Sequence, residues 1–119
     1  MGVSNLGYAR AVGRSSSLEA QTSELRRAGV DHIYADTLKA GRHGFPELNA
    51  CLTSLEPGDV LVVTSIDNLP RGVPALVDVV RRVRAREADF RELAGRYDTT
   101  RPGGRTFFEW IDSIARRLE

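Results

Sequence analysis

The segment at residues 60–65 reads Val-Leu-Val-Val-Thr-Ser, and it constrains the fold of this chain more than any other stretch. A strand whose consecutive positions are apolar is typical of a parallel sheet that helices cover on both faces. The chain has 119 residues, of which 41% are hydrophobic, so it is long enough for one domain with one core. We therefore predict a single α/β domain over residues 1–119.

Three further strands and four helices alternate with this segment. The other strands are predicted at residues 3–11, 32–35 and 89–93. A first helix begins near Ser16, which has capping-box spacing to Glu19, and ends before Gly29. The remaining helices are predicted at residues 46–55, from Val73 onward, and at 107–118. This alternation predicts three layers, with a mostly parallel sheet of about four or five strands and a closing C-terminal helix.

Charge and composition exclude several classes of protein. Seventeen basic and 16 acidic residues leave a net charge of +1, which indicates neither a nucleic-acid nor a membrane partner. No apolar run approaches the length of a membrane helix, and residues 1–12 lack the pattern of a signal peptide. Cys51 is the only cysteine, and His32 and His43 are the only histidines. We therefore expect no metal, no cofactor and a cytoplasmic location.

The basic residues are almost all arginine. Lys39 is the only lysine, so 16 of the 17 are arginines. A GC-rich genome explains such a bias, and so does recognition of phosphate, because a guanidinium binds two phosphate oxygens at once. Composition alone leaves both explanations open.

The strand-end rule places a candidate site in this fold. Ligands of parallel sheets bind at the carboxyl ends of the strands. Arg10 ends the first predicted strand, and Asp67 and Arg71 follow the strand at residues 60–65. Two arginines at one edge suit an anion such as phosphate, whereas an ion pair between Asp67 and an arginine would make the cluster purely structural.

Five features of the sequence occur in the order and spacing of a known family. They are Gly-Tyr-Ala-Arg at residues 7–10, Gln21 eleven residues after Arg10, Pro-Gly-Asp-Val-Leu-Val-Val at 57–63, Ile-Asp-Asn-Leu-Pro-Arg at 66–71, and Asp-Thr-Thr-Arg-Pro-Gly-Gly at 98–104. Together they resemble the catalytic domain of the serine recombinases, the resolvase/invertase family. The resemblance covers nearly the whole chain.

The resemblance implies phosphoryl transfer on DNA without a metal ion. In this family a serine attacks a phosphate, forms a phosphoserine link and allows strand exchange within a tetramer, while arginines stabilise the charge on phosphorus. By position, Arg10, Asp67 and Arg71 keep the family's identities and Gln21 keeps its place. DNA is therefore the partner that the resemblance implies.

Three positions depart from the family pattern. The nucleophile position, two residues beyond Arg10, holds Val12, which has no hydroxyl. Phe45 and Asn68 stand where the family has arginines. The losses predict a site that no longer cleaves DNA.

Other residues of the chain could replace the missing nucleophile or one missing charge, and the sequence leaves both possibilities open. It also leaves open whether the chain is a fragment. A displaced serine among Ser15, Ser16 and Ser17 would restore a nucleophile, and Arg42 would restore a charge beside Phe45. The family also carries a DNA-binding domain after the catalytic domain, and the sequence stops at Glu119 without one. Either site-specific DNA reading is missing, or the chain is a fragment.

We hypothesise a recombinase-fold domain that does not cleave DNA and that associates with itself or with an active recombinase subunit. Its interaction surface would be the closing helix, whose apolar residues exceed one core-facing stripe; alternatively, they only pack against the sheet. They are Phe107, Phe108, Trp110, Ile111, Ile114 and Leu118. The alternatives from other classes are an active recombinase or nicking enzyme using a displaced serine, and an anion- or nucleotide-binding α/β module.

Overall fold

A computed structural model describes residues 3–11, 17–37 and 44–118. Its strands are β1 (Asn5–Arg10), β2 (His32–Asp36), β3 (Val60–Val63) and β4 (Asp89–Glu92). Its helices are α1 (Leu18–Arg27), α2 (Pro46–Ser54), α3 (Val73–Ala85) and α4 (Thr106–Leu118), with a short 3₁₀ turn at Ile66–Asn68. The predicted alternation of strands and helices is confirmed, and the boundaries of the elements move by one to two residues.

Within these ranges the sheet has four strands in the order β2-β1-β3-β4, and all neighbouring pairs are parallel. The first strand of the chain is therefore central, with β2 on one side and β3 on the other. Tyr8 is paired with Tyr34 of β2 and with Val63 of β3. The carboxyl ends of β1 and β3 consequently lie side by side, which places Arg10 next to the segment that follows Val63.

Alternate residues of the central strands enter two separate cores. Leu6 and Tyr8 of β1 belong to the larger cluster, which α2, α3 and α4 complete. Ala9 of β1 and Val62 of β3 belong to the smaller one, which α1 covers with Leu25. Because a strand presents successive side chains to opposite faces, this division produces the three predicted layers.

The cap of α1 is one residue later than predicted. The Oγ of Ser17 accepts a hydrogen bond from the Ala20 amide at 3.0 Å, and Ser17 has the extended backbone of an N-cap. Ser16, the predicted cap, lies outside the described residues. The capping-box spacing from Ser16 to Glu19 therefore misplaced the start of the helix by one position.

The predicted interaction surface on α4 is wrong for three of its residues. Phe107, Phe108 and Ile111 are buried in the larger core, because α4 is one of the helices that cover this face of the sheet. Ile114 is partly buried against the same core. Trp110 and Leu118 remain about half exposed, at 49% and 51%.

The turn before α4 requires a glycine at one position. A Cβ on Gly104 would collide with the main-chain carbonyl of Asp98. The Asp98 carboxylate accepts a hydrogen bond from the Thr100 amide at 2.9 Å, which keeps this turn tight. Among the helices in the described ranges, none is long and apolar enough to cross a bilayer.

Candidate functional site

The Arg10 side chain connects the end of β1 to the turn after β3. Its Nε donates a hydrogen bond to the carbonyl of Asn68 at 2.8 Å, and its Nη2 donates to the carbonyl of Leu69 at 2.8 Å. Both distances are those of strong hydrogen bonds to a charged donor. Arg10 thus contacts the main chain of Asn68 and Leu69, which lie between the predicted site residues Asp67 and Arg71.

Phe45 covers the same guanidinium from the side of α2. The centre of its ring lies 5.3 Å from the Cζ of Arg10, within the range of a cation–π interaction. Phe45 precedes α2 with a φ of 55°, in the left-handed region that is unfavourable for a bulky residue. Phe45, at the position where the resemblance implies an arginine, therefore stacks on Arg10 and adds no second charge.

Gln21 fixes the main chain of Arg10 rather than its side chain. The Gln21 Oε1 accepts from the Arg10 amide at 2.9 Å, and the Gln21 Nε2 donates to the Arg10 carbonyl at 2.6 Å. The Gln21 side chain is almost completely buried. Gln21 therefore connects α1 to the end of β1 and supplies hydrogen-bond partners for the main-chain amide and carbonyl of Arg10.

Asp67 and Arg71 lie on the exposed side of the site. They line an open groove of about 760 Å³ that runs from the end of β3 to the start of α3, with Glu24 of α1 on its other wall. Arg71 is two residues beyond Leu69, so its Cα is at most about 7 Å from that of Leu69. Asp67 makes no ion pair with any residue that the structure describes, so the structural ion pair weighed above is not observed there.

Asn68, the other position where the resemblance implies an arginine, is buried. Its side chain is 3% exposed and its Nδ2 donates to the Oγ1 of Thr64. Its main-chain carbonyl is the acceptor for Arg10. In this chain the Asn68 side chain thus stabilises the turn, and the residue is also part of the lining of the groove.

Sequence reasoning missed Asp36, which organises the neighbouring strand end. The carboxylate of Asp36 is buried and accepts from the Tyr8 Oη at 2.8 Å, the Glu47 amide at 3.0 Å and the Leu48 amide at 3.1 Å. It caps α2 from a distance, since Phe45 has no side-chain oxygen to do so. Burial, and then this hydrogen bond, raise the pKa of Tyr8 above its usual value. An aspartate at a strand end was the available signal.

Glu92 anchors the turn after β3 from the other side. Its buried carboxylate accepts from the Ile66 amide at 2.8 Å and from the Arg96 amide at 3.3 Å. Sequence reasoning did not single out Glu92 either. Glu92 of β4, Arg10 of β1 and Thr64, which directly follows β3, together hold the 3₁₀ turn.

Several predicted positions lie outside the described residues: Val12, Ser15, Ser16 and Arg42. Ser17, the remaining displaced-serine candidate, is described, and its hydroxyl oxygen caps α1. Among the ranges that the structure covers, no group of three or more histidine, cysteine or acidic residues is arranged to hold a metal ion.

The parallel strand order and the helices on both faces define a three-layer α/β domain whose central strand β1 ends at Arg10. The family model "Resolvase, N terminal domain" matches residues 5–118. The chain is 34% identical over 110 residues to the serine recombinase gin of Escherichia phage Mu, covering 92% of this chain and 57% of that protein. It is 30% identical over 113 residues to the DNA-invertase hin of Salmonella typhimurium, covering 95% and 60%. The chain belongs to the resolvase family, as its N-terminal domain.

Solved structures agree on the fold. The N-terminal catalytic domain of TP901-1 integrase matches with a TM-score of 0.73 and 22% identity, covering 97% of this chain and 98% of that one. A resolvase-family site-specific recombinase from Streptococcus pneumoniae matches with a TM-score of 0.67 and 11% identity, covering 98% and 88%. The chain spans somewhat more than half the length of the two recombinases compared above.

Proposed function

We propose that this domain takes part in site-specific DNA recombination without cleaving DNA, as a module that associates with itself or with an active recombinase subunit. The observation that carries the proposal is Val12, two residues beyond Arg10, where the resemblance implies the family's nucleophilic serine. A valine side chain has no lone pair to attack phosphorus, so no phosphoserine link forms there.

The charges around the site support the same conclusion. Two of the family's arginine positions hold Phe45 and Asn68, and neither supplies a cation. The Asn68 side chain is bonded to Thr64 in the interior, and the Phe45 ring lies on Arg10. A pentacoordinate phosphorus would therefore meet fewer cationic donors than in the family pattern.

The exposed apolar residues of α4 support association with another protein chain. Trp110 and Leu118 are half exposed on this helix, and Val73 at the start of α3 is also half exposed. A partner chain that covered these side chains would remove apolar surface from water, which is favourable. A second copy or a recombinase subunit with the same fold is the partner that we propose.

A covalent-adduct assay tests the absence of cleavage. Labelled DNA with a recombination site of a related invertase is incubated with this chain, and protein-linked label is measured after denaturation. We expect no adduct from the parent or from Val12→Ala, a matched variant that also lacks a hydroxyl. An adduct mapped to Ser15, Ser16 or Ser17 would overturn the proposal and establish the displaced-serine enzyme. Ser17 is the least favourable of these, because its hydroxyl caps α1.

Association is tested separately. Sedimentation of the parent and of Trp110→Ser, alone and mixed with an intact recombinase, measures whether complexes form. We expect the parent to form a complex with itself or with the recombinase, and Trp110→Ser to weaken it. A parent that stays monomeric in both settings would contradict the proposed role.

A further inference from the structure

We propose that Arg10 is a positioning residue in this chain: its guanidinium holds the turn that leads to Asp67 and Arg71 in place through the edge formed by Nε and Nη2, which is thereby closed to an anion. We call the Arg10 side chain, the Phe45 ring and the carbonyls of Asn68 and Leu69 the Arg10 clamp. The inference is independent of the proposed loss of DNA cleavage, because it concerns the contacts of Arg10 alone.

The donors of Arg10 are the first reason. A guanidinium presents two forked edges, and the edge formed by Nε and Nη2 suits two adjacent oxygens. In this chain both atoms donate to consecutive main-chain carbonyls, at 2.8 Å each. The edge that would bind two oxygens of a phosphate side-on is therefore occupied by the protein itself.

The Phe45 ring is the second reason. It covers a face of the guanidinium at 5.3 Å and also packs against the larger core. Its backbone stands in the left-handed region, which is unfavourable for a residue with a Cβ. Favourable contacts of the ring must offset this cost, and the geometry shows two, with Arg10 and with the larger core.

The position of the turn is the third reason. Ile66 is bonded to Glu92 of β4, and Asn68 is bonded to Thr64, the residue that follows β3. Arg10 supplies the corresponding bonds to β1. Since Arg71 follows Leu69 by two residues, the clamp determines where Arg71 enters the groove.

A double-mutant cycle tests the contact between Arg10 and Phe45. Arg10→Met, Phe45→Leu and the double variant are unfolded in urea, and their equilibrium constants for unfolding are compared. We expect the equilibrium constant for unfolding of the double variant to be about three- to thirty-fold smaller than the value predicted by multiplying the effects of the two single variants. The matched control is Arg105→Met, since Arg105 also lies over a ring, that of Phe108 at 5.8 Å, but is largely exposed and donates to no carbonyl in the described ranges. We expect a change of less than about three-fold for the control.

Phe45→Asn compares the stability that the ring contributes with the strain of the left-handed backbone at position 45. Asparagine tolerates the left-handed region better than phenylalanine does. We expect the variant to unfold more readily, because it loses the ring. A variant more stable than the parent would show that the backbone strain relieved at position 45 exceeds the stability that the ring contributes. That result would overturn this part of the inference.

Hydrogen exchange tests the positioning itself. In Arg10→Met we expect the amides of Asn68 and Leu69 to exchange at least ten-fold faster than the global loss of stability explains, with the amides of α4 as the internal reference. An ammonium group cannot span two carbonyls as a guanidinium does, so we expect the exchange rates in Arg10→Lys to lie between those of the parent and those of Arg10→Met. If Arg10→Met does not fold, Arg10→Lys replaces it in this measurement.

An anion titration distinguishes a clamp from an anion ligand. Sodium sulfate is added at constant ionic strength to the parent, to the Arg10 variants and to Arg71→Met, and the shift of the unfolding midpoint is measured. We expect an Arg10 variant to lose the parent's sulfate response only where the amides of Asn68 and Leu69 also exchange faster, because the clamp positions Arg71. Loss of that response in an Arg10 variant whose exchange at Asn68 and Leu69 is unchanged would show that Arg10 is an anion ligand and would overturn the proposal.

Discussion

Both polar ends of the Gln21 side chain are bonded to the main chain of Arg10. The amide nitrogen of Gln21 donates to the Arg10 carbonyl at 2.6 Å, and its oxygen accepts from the Arg10 amide at 2.9 Å. The two bonds reproduce the pairing that another strand would provide at this point. Gln21 thereby fixes the backbone of Arg10, and the Arg10 side chain in turn reaches the turn after β3.

Gln21→Met tests this arrangement. Methionine fills the same volume but leaves the amide and the carbonyl of Arg10 without these partners. We expect a loss of about 2 kcal/mol or more in the free energy of unfolding, since buried main-chain groups become unsatisfied. The measurement is urea unfolding, with the exposed Thr53→Ala as control, for which we expect less than about 0.5 kcal/mol. Equal effects of the two variants would contradict the prediction.

Restoring the hydroxyl alone should not restore cleavage. Val12→Ser returns a nucleophile to a site that still lacks cations at positions 45 and 68. Each such donor contributes about 3 kcal/mol to stabilising the transition state, so we expect activity at least about 10⁴-fold below that of an intact site. The measurement is plasmid nicking and adduct formation by Val12→Ser and by the triple variant Val12→Ser, Phe45→Arg, Asn68→Arg.

The triple variant carries a structural cost that the single variant does not. Asn68 is buried against Thr64, so an arginine there must leave the interior for the groove. We therefore compare only variants whose circular dichroism and unfolding transition show a folded protein. Equal nicking by the single and triple variants would mean that Phe45 and Asn68 do not stand at positions where a cation is needed.

The buried Asp36 network should be important for stability. Asp36→Asn leaves a neutral side chain with a single acceptor oxygen where the carboxylate accepts three hydrogen bonds from Tyr8, Glu47 and Leu48. We expect a loss of about 2–4 kcal/mol in the free energy of unfolding. Tyr8→Phe removes only one of these bonds and should cost about 1 kcal/mol. A larger loss for Tyr8→Phe than for Asp36→Asn would contradict this ranking.

The stability of the protein should fall at alkaline pH through Cys51. Burial raises the pKa of the Cys51 thiol from about 9 to about 12. The unfolded chain therefore releases a proton above pH 9 that the folded chain retains. The stability from this group is complete below pH 9 and decreases by about 1.4 kcal/mol per pH unit up to pH 12.

Urea unfolding between pH 8 and pH 10 measures this effect, with Cys51→Ala as the comparison. Between pH 9 and pH 10 we expect the free energy of unfolding to decrease by about 1 kcal/mol less in Cys51→Ala than in the parent. Tyr8 adds a decrease of the same sign at higher pH, because its pKa is also raised in the folded state. Parallel pH profiles for the parent and Cys51→Ala would exclude Cys51 as the source.

The local pattern of the sequence determined the architecture of this protein. Four consecutive apolar residues at 60–63 marked a strand buried on both faces, and the spacing of Val77 and Val80 marked a helix with one apolar side. These signals are local, because period and turn residues act within a few positions of the chain. The strand-end rule then places Arg10 beside residues 66–71 from the sequence alone.

Only the tertiary structure decided what these side chains touch. The sequence does not reveal that the Arg10 guanidinium is bonded to two carbonyls almost sixty residues away, or that the Asn68 side chain turns inward. It also did not separate Phe107 and Ile111, which complete the core, from Trp110, which stays in solvent. Such contacts depend on the packing of whole elements against one another, and that packing selects one direction for each side chain among several that the local sequence permits equally.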